Sequence, residues 1–355
     1  MYDNFYKGKR VLITGHTGFK GSWLAIWLHK MGAEVIGVAL DPVTARDNFV
    51  LSGIGEKIKA DLRGDIRNGK LIKDIFDTYK PEIIFHLAAQ PLVRLSYEIP
   101  VETYEINVMG TINVMEAVRT TESVKVAVMI TTDKCYENKE QIWGYRENEP
   151  MGGYDPYSSS KGAAEIAISS WRRSFFNPNE YEKHGKSVAS VRAGNVIGGG
   201  DWALDRIIPD CIKSLEKGES IEIRNPKAIR PWQHVLEPLS GYLLLALRMW
   251  NESAKYAESW NFGPELESIV QVEHIAKKII ENYGFGDFLV KSNPTELHEA
   301  NLLLLDINKA KINLGWKPKL NIDQCIYFVV DWYKRYKSEN VYDLCVEQIF
   351  KFIKE

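Results

Sequence analysis

The chain has 355 residues, of which 45% are hydrophobic and 26% charged, the composition of a globular protein with one large domain or two unequal domains. A formal net charge of −2 excludes the strongly basic surface that binds nucleic acids through their phosphates. The four cysteines lack the paired spacings of metal sites, so we expect no metal and a cytoplasmic setting. No apolar run approaches the ~20 residues of a membrane-spanning helix, and the polar N-terminus lacks a signal-peptide pattern.

Strands and helices are predicted to alternate through the first part of the chain. Apolar runs and helical spacing predict strands at 10–14, 34–40, 83–87, 125–131 and 187–192, and helices at 22–31, 70–79, 101–119 and 158–176. Such alternation requires right-handed crossovers, so we predict an α/β fold with a doubly wound parallel sheet. The polar stretch 177–185 is predicted to be a surface loop.

The regular alternation weakens after about residue 193, where glycines, scattered prolines and shorter elements follow. We therefore expect a smaller α/β substrate domain in the C-terminal half. The predicted division assigns 1–190 to a dinucleotide-binding domain, and residues of about 232–262 are expected to belong to the same domain. Residues 191–231 and 263–355 are assigned to the second domain.

The first predicted strand runs into three glycines at intervals of three, Gly15, Gly18 and Gly21. A strand, a tight glycine turn and a helix N-terminus are typical of a Rossmann-type site for a dinucleotide pyrophosphate, whereas a glycine turn without a ligand is the alternative. Asp41 closes the second strand, where a carboxylate accepts the ribose hydroxyls of NAD and repels the 2′-phosphate of NADP. Arg46 nearby weakens that preference, and Asp41 is alternatively an ordinary turn residue.

Tyr157 and Lys161 lie four residues apart, so both side chains occupy one face of a predicted helix. An ammonium and a nicotinamide cation lower the pKa of a phenol, which can then take a hydroxyl proton while hydride leaves the same carbon. Asp133 and Lys134 follow the strand predicted at 125–131, beyond the carboxyl edge of the sheet. This adjacent acid and amine can move protons at two further carbons, which simple reduction or epimerisation does not need.

Four segments carry a resemblance to a known family: GHTGFKGSWL at 15–24, HLAAQPLVR at 86–94, TTDKCY at 131–136 and RAGNVIGGGDW at 192–202. Together they resemble the nucleotide-sugar dehydratase branch of the extended short-chain dehydrogenase/reductase family, over residues 10 to about 332. The Asp-Lys pair is similar to that of members that act on CDP-glucose, whereas thymidine-diphosphoglucose dehydratases carry Glu in place of Lys134.

The resemblance implies an NAD-dependent lyase that oxidises C4 of CDP-glucose, eliminates water between C5 and C6 and returns hydride to C6. It also implies a homodimer or homotetramer that supplies deoxysugar precursors of surface polysaccharides. Tyr157, next to Lys161, would take the O4 proton, and Thr132 would hydrogen-bond the same oxygen. Asp133 would protonate the leaving C6 hydroxyl, while Lys134 would either remove the C5 proton or stabilise the enolate. A sugar epimerase, a dehydratase for another nucleotide sugar and a non-catalytic NAD-binding protein are the open alternatives.

The same resemblance implies two sets of binding residues, one for NAD and one for the nucleotide sugar. The NAD set is Gly15, Thr17, Gly18, Phe19, Lys20, Gly21, Asp41, Asp65, Ile66, Leu87, Ala88, Gln90, Asn107, Thr131, Tyr157 and Lys161. The nucleotide-sugar set is Arg94, Asn195, Arg206 and Arg230. A guanidinium fork binds pairs of phosphate oxygens, although a single arginine is more often a solvated surface charge.

Overall fold

The computed structural model describes residues 2, 4–204, 206–291 and 302–355. Its strands are β1 (Arg10–Thr14), β2 (Glu34–Ala39), β3 (Ala60–Arg63), β4 (Ile83–His86), β5 (Val126–Ile130), β6 (Ser187–Arg192), β7 (Val196–Ile197), β8 (Ile221–Ile223), β9 (Ile229–Pro231), β10 (Gln233–His234), β11 (Ser259–Asn261), β12 (Ile269–Gln271) and β13 (Phe288–Val290). Its helices are α1 (Phe19–Lys30), α2 (Asn48–Ser52), α3 (Gly69–Tyr79), α4 (Val93–Glu98), α5 (Pro100–Tyr104), α6 (Thr111–Thr120), α7 (Pro156–Ser174), α8 (Tyr181–His184), α9 (Ile207–Lys217), α10 (Leu236–Asn251), α11 (Ser253–Tyr256), α12 (Val272–Tyr283), α13 (Ile322–Arg335) and α14 (Val341–Lys354).

Seven parallel strands form the central sheet in the order β3-β2-β1-β4-β5-β6-β11. The predicted doubly wound parallel sheet is therefore confirmed. The two edge strands, β3 and β11, were not predicted. They have four and three residues, and β3 alternates between half-buried and exposed positions, so neither forms the long apolar run that marks a central parallel strand.

Side chains alternate between the two faces of the sheet, and a separate apolar cluster covers each face. In β1, Val11 and Ile13 point into the larger cluster, which includes α1, α10, α13 and α14. Leu12 points into the smaller cluster, which includes α3, α6 and α7. Because both faces are covered by helices, the catalytic groups can lie only at the strand ends or along the connecting loops.

The described residues of the C-terminal half form three two-stranded sheets, β10-β7, β12-β9 and β13-β8. Its side chains join the larger cluster, so one continuous core runs from the central sheet into this half. None of the helices in the described ranges is both long and apolar enough to cross a membrane.

Two predicted segments differ in detail from the structure. The helix predicted at 101–119 consists of α5, a π-helical stretch at Glu105–Gly110 and α6. The predicted loop at 177–185 contains the short helix α8 after a 3₁₀ turn. Apolar spacing does not distinguish π from α hydrogen bonding, and a four-residue helix is too short to show a period.

Candidate active site

A cavity of about 1170 Å³ opens at the carboxyl ends of β5 and β6, where α1 and α7 begin. Eleven of the residues predicted to bind or react line it: Phe19, Lys20, Arg94, Thr131, Thr132, Asp133, Lys134, Tyr157, Asn195, Arg206 and Arg230. The volume exceeds that of most pockets for drug-sized ligands, so it can hold the sugar nucleotide beside the nicotinamide end of a dinucleotide.

The glycine turn between β1 and α1 leaves no room for side chains. Gly15 has φ of +78°, and a Cβ there would lie 2.7 Å from the backbone nitrogen of Ala88. A Cβ on Gly21 would lie 2.1 Å from the carbonyl oxygen of Gly15. The turn therefore packs against the segment after β4, with Leu87 and Ala88, and presents backbone rather than side chains at the helix N-terminus. This arrangement fits the pyrophosphate of a dinucleotide.

Asp41 lies beyond β2 with an exposed side chain, and its carboxylate accepts a hydrogen bond from Nε of Arg63 at 2.8 Å. Arg46 does not contact Asp41. Its guanidinium stacks 3.5 Å from the ring centre of Trp202 and donates to the hydroxyl of Tyr336 at 2.6 Å. Arg63, which the sequence analysis did not consider, is thus the cation beside Asp41.

The other residues predicted at the adenosine end, Asp65 and Ile66, follow β3. Asp65 is bound by Arg67, whose Nη2 donates to it at 2.6 Å and whose backbone nitrogen donates at 2.8 Å. The side-chain contact is the main cause that lowers the pKa of Asp65, and the backbone contact adds to it. Ile66 is buried and occupies the space beside Gly110, where a Cβ would lie 2.5 Å from it. The hydroxyl of Thr17, from the glycine turn, donates to the carbonyl of Leu40 at 3.0 Å.

Gln90 and Asn107 form hydrogen bonds within the protein. The amide oxygen of Asn107 accepts from the backbone nitrogen of Gln90 at 2.9 Å. The amide nitrogen of Asn107 donates to the carbonyl of Gln90 at 3.1 Å and to the hydroxyl of Ser160 at 2.9 Å. These two predicted cofactor residues hold the loop after β4 against α7.

Tyr157 and Lys161 occupy the first turns of α7, whose N-terminus is capped by Asp155 accepting from Ser158 at 2.9 Å. Burial raises the pKa of Tyr157 to about 12, although a hydrogen bond with Thr132 opposes the rise. Burial and the nearby Lys20 ammonium lower the pKa of Lys161 to about 8. Without a further positive charge near the phenol, Tyr157 therefore stays protonated at neutral pH.

A 3₁₀ turn after β5 presents Asp133 to the cavity. The hydroxyl of Thr132 caps this turn and donates to Oδ1 of Asp133 at 2.9 Å, while Oδ2 is buried and has no hydrogen-bond partner among the described residues. A Cβ on Gly194 would lie 1.8 Å from that oxygen, so the glycine makes room for the carboxylate. Lys134 lines the same cavity, and no ion pair joins it to Asp133 within the described part of the chain.

The arginines predicted to bind substrate line the same cavity, and the charge of Arg206 acts on Tyr157. Nη1 of Arg206 lies 2.8 Å from Oδ2 of Asp201; burial opposes the charge, but Asp201 outweighs it and raises the pKa of Arg206. Arg230 lies on β9 and Arg94 on α4. Asn195 adopts a left-handed conformation with φ of +48°, which asparagine tolerates better than most residues. These cations make the cavity suitable for an anionic ligand.

Four residues around the site were not identified from the sequence: Glu165, Arg192, Gly194 and Asp201. Glu165 could have been noticed, because it lies on the same helical face as Tyr157 and Lys161 in the predicted helix, where a buried acid is unusual. Asp201 pairs with Arg206 five residues further on, and it lies with the other two in the segment 192–202 that carries the family resemblance. The roles of Arg192 and Gly194 depend on contacts with distant segments, for which the sequence offers no local signal.

Comparisons with known proteins place the chain among enzymes of nucleotide sugars. The family model described as GDP-mannose 4,6 dehydratase matches residues 12–328. A CDP-glucose 4,6-dehydratase of Salmonella typhimurium is 53% identical over 331 residues, which cover 93% of this chain and 92% of that protein. A human dTDP-D-glucose 4,6-dehydratase is 26% identical, with 92% of this chain and 90% of that protein covered.

Solved structures share the fold. A dTDP-glucose 4,6-dehydratase of Bacillus anthracis in complex with NAD superposes with a TM-score of 0.76 at 21% identity, covering 92% of this chain and 97% of that one. A UDP-glucose 4-epimerase of Thermotoga maritima with UDP-glucose also superposes with a TM-score of 0.76, at 23% identity, covering 93% of this chain and 100% of that one.

Proposed function

The chain belongs to the GDP-mannose 4,6-dehydratase family, and from this premise we propose that it is an NAD-dependent lyase that converts CDP-glucose to CDP-4-dehydro-6-deoxyglucose and water. The observation that carries the proposal is that Tyr157, Asp133 and Lys134 line one cavity. A reductase or epimerase needs only the first of these groups. The 53% identity to a CDP-glucose 4,6-dehydratase supports cytosine as the base.

The first half of the chain supplies the cofactor site. Bound NAD provides a hydride acceptor for C4 of the sugar and a hydride donor for C6. The glycine turn would hold its pyrophosphate, and the carboxylate of Asp41 would accept hydrogen bonds from the ribose hydroxyls. Residues 1–190 with about 232–262 form this cofactor half, which is supported by the position of β11 beside β6 in the central sheet.

The reacting side chains act in sequence around one sugar ring. Tyr157 takes the O4 proton, assisted by the positive charge of Lys161, while Thr132 hydrogen-bonds the same oxygen. The resulting ketone acidifies the C5 proton, which Lys134 removes; a proton returns to C5 when hydride adds to C6. Asp133 donates a proton to the C6 hydroxyl, which departs as water. The unpartnered Oδ2 of Asp133 is free to hold that proton because no protein donor among the described residues occupies it.

The nucleotide diphosphate binds among the cations that line the cavity. Arg206 and Arg230 lie on segments of the C-terminal half, and Lys20 and Arg94 lie on the sheet half. Four cations around one cavity favour a ligand with two phosphates. Residues 191–231 and 263–355 form this substrate half.

Isotope transfer tests the reaction and the choice of nucleotide together. The protein is incubated with CDP-, dTDP- and UDP-glucose, each carrying deuterium at C4. We expect loss of water, arrival of the label at C6 and preference for CDP-glucose. Label released to solvent or into free reduced cofactor would contradict a closed hydride cycle, and an equal rate with all three nucleotides would contradict the assigned substrate.

The enzyme assembles as a homodimer or homotetramer through the helices beside the cofactor half. Val101 on α5, Met109 on the π-helical stretch and Ile166 on α7 are apolar side chains that are 73%, 51% and 60% exposed. Adjacent exposed apolar side chains on long helices are typical of a subunit interface. We assign the enzyme to the cytoplasm, which agrees with four unpaired, buried cysteines.

A further inference from the structure

A buried carboxylate connects the catalytic helix to its neighbours. Glu165 follows Tyr157 by eight residues and Lys161 by four, so all three lie on one face of α7. Its side chain is 2% exposed, and it accepts hydrogen bonds from the hydroxyls of Thr131 and Ser190, the latter at 2.8 Å. Nη2 of Arg192 also donates to it at 2.8 Å.

Arg192 continues the connection to the other end of the loop that carries the elimination residues. Its Nη1 donates to the hydroxyl of Tyr136 at 2.6 Å and to the carbonyl of Glu147 at 3.0 Å. The hydroxyl of Tyr136 in turn donates to the side chain of Asn261 at 2.8 Å. The catalytic loop, residues 131–136, is thus attached at both ends, through Thr131 to Glu165 and through Tyr136 to Arg192.

Such a pair is costly to bury, since two charges lose their hydration, and apolar residues of similar size often give equal or greater stability. Stability alone therefore does not explain it. We propose that the Glu165–Arg192 ion pair is a positioning device that holds loop 131–136 against α7, so that Asp133 and Lys134 reach the same sugar ring as Tyr157. The proposal rests on the proposed function, because it concerns the elimination half of that reaction.

The carboxylate has a second, electrostatic effect on the helix. Burial and Lys20 lower the pKa of Lys161, whereas Glu165 and then Cys135 raise it; His86 also faces the ammonium, from β4. Lys161 is charged below its pKa and neutral above it. Removing the charge of Glu165 lowers that pKa further, so activity is expected to fail at a lower pH on the alkaline side.

Two substitutions separate the geometric effect from the electrostatic one. Glu165→Gln removes the charge and weakens the bond to Arg192. Arg192→Lys keeps the charge but cannot bridge Tyr136 and Glu165 as the forked guanidinium does. Glu237→Gln is the matched control, because its buried carboxylate accepts from the backbone nitrogens of Lys319 and Leu320 and contacts neither the loop nor Arg192.

Each protein is studied with bound NAD by three measurements: reduced nicotinamide absorbance in a single turnover of CDP-glucose, exchange of the product C5 proton with deuterated solvent, and the pH dependence of kcat. We expect kcat to fall about 10- to 100-fold in both variants with little change in KM. Reduced nicotinamide should accumulate because elimination lags behind oxidation, and C5 exchange should slow in parallel. Only Glu165→Gln should move the alkaline limit to lower pH.

An equal loss of oxidation and elimination, with a lower melting temperature and no accumulation of reduced nicotinamide, would overturn the proposal. Should Glu165→Gln fail to fold, Arg192→Lys alone decides between these results. The proposed function itself fails if the unaltered protein, given CDP-glucose, neither reduces NAD nor exchanges the C5 proton with solvent. That result is distinct from any result obtained with the variants, because it concerns the unaltered protein.

Discussion

The position of Asp133 depends on the absence of a side chain at Gly194. An alanine Cβ there would lie 1.8 Å from the carboxylate, so Gly194→Ala forces that carboxylate to turn. Because a small misplacement of a catalytic group is costly, we expect turnover to fall about 10- to 100-fold. The free energy of unfolding should fall by about 1–3 kcal/mol, because the added methyl group overlaps the short, buried side chain of Asp133.

Gly263→Ala serves as the control for this substitution. Its Cβ would meet its nearest neighbour, Cγ2 of Ile307, at 3.4 Å, which is an ordinary contact. Steady-state kinetics and thermal unfolding are compared for both variants. Full activity in Gly194→Ala would show that the reaction does not need the carboxylate of Asp133 in its position beside residue 194.

Lys134 is proposed as the base at C5, and a substitution distinguishes that role from stabilisation of negative charge. In Lys134→Gln we expect oxidation at C4 to persist while elimination falls about 100-fold or more, because loss of a general base typically costs 10²–10⁴-fold. Product release and C5 exchange are followed by NMR, with the exposed Lys139→Gln as the control. Elimination at full rate in Lys134→Gln would rule out its role as the base.

At the scale of the element, the turn between β1 and α1 combines two demands on Gly15. Its positive φ disfavours a side chain, and the backbone of Ala88 excludes one. Gly53 has a similar φ of +60° but open space around it. In Gly53→Ala we therefore expect only backbone strain, about 1 kcal/mol of lost stability.

Gly15→Ala should lose more than this, because the turn must also move away from the segment after β4. We expect NAD binding to weaken by about tenfold or more, since the amides that face the pyrophosphate move with the turn. Titration calorimetry with NAD and thermal unfolding without it measure the two effects. Equal losses in the two variants would show that the contact with Ala88 is unimportant.

At the scale of the whole molecule, the exposed apolar side chains of α5, the π-helical stretch and α7 predict association. Met109→Glu combined with Ile166→Glu should shift the protein towards monomers, because two charges would be buried in the interface. Sedimentation velocity over a range of concentrations measures the shift. Ile312→Glu, at a site that is 79% exposed in the C-terminal half, should leave the assembly unchanged; the same shift in this control would assign the interface elsewhere.

The sequence alone determined the parallel sheet, the glycine turn, the Tyr157–Lys161 pair and the family. These features are local: a strand, a turn or a helical face is specified within about ten residues by the spacing of apolar and small side chains. The two edge strands were not predicted because they are too short to show a pattern. The π-helical stretch was not predicted because its apolar spacing is too similar to that of an α-helix.

Only the tertiary structure decided which distant groups meet. Arg46 contacts Trp202 and Tyr336, so Arg63 rather than Arg46 is the cation beside Asp41. Glu165 forms its ion pair with Arg192. Arg46 and Tyr336 lie 290 residues apart in the chain, Glu165 and Arg192 27, and Arg63 and Asp41 22. Such contacts depend on how whole elements pack. A charged residue in a sequence does not specify which opposite charge it will pair with, because the two groups come within reach of each other only after the core has formed.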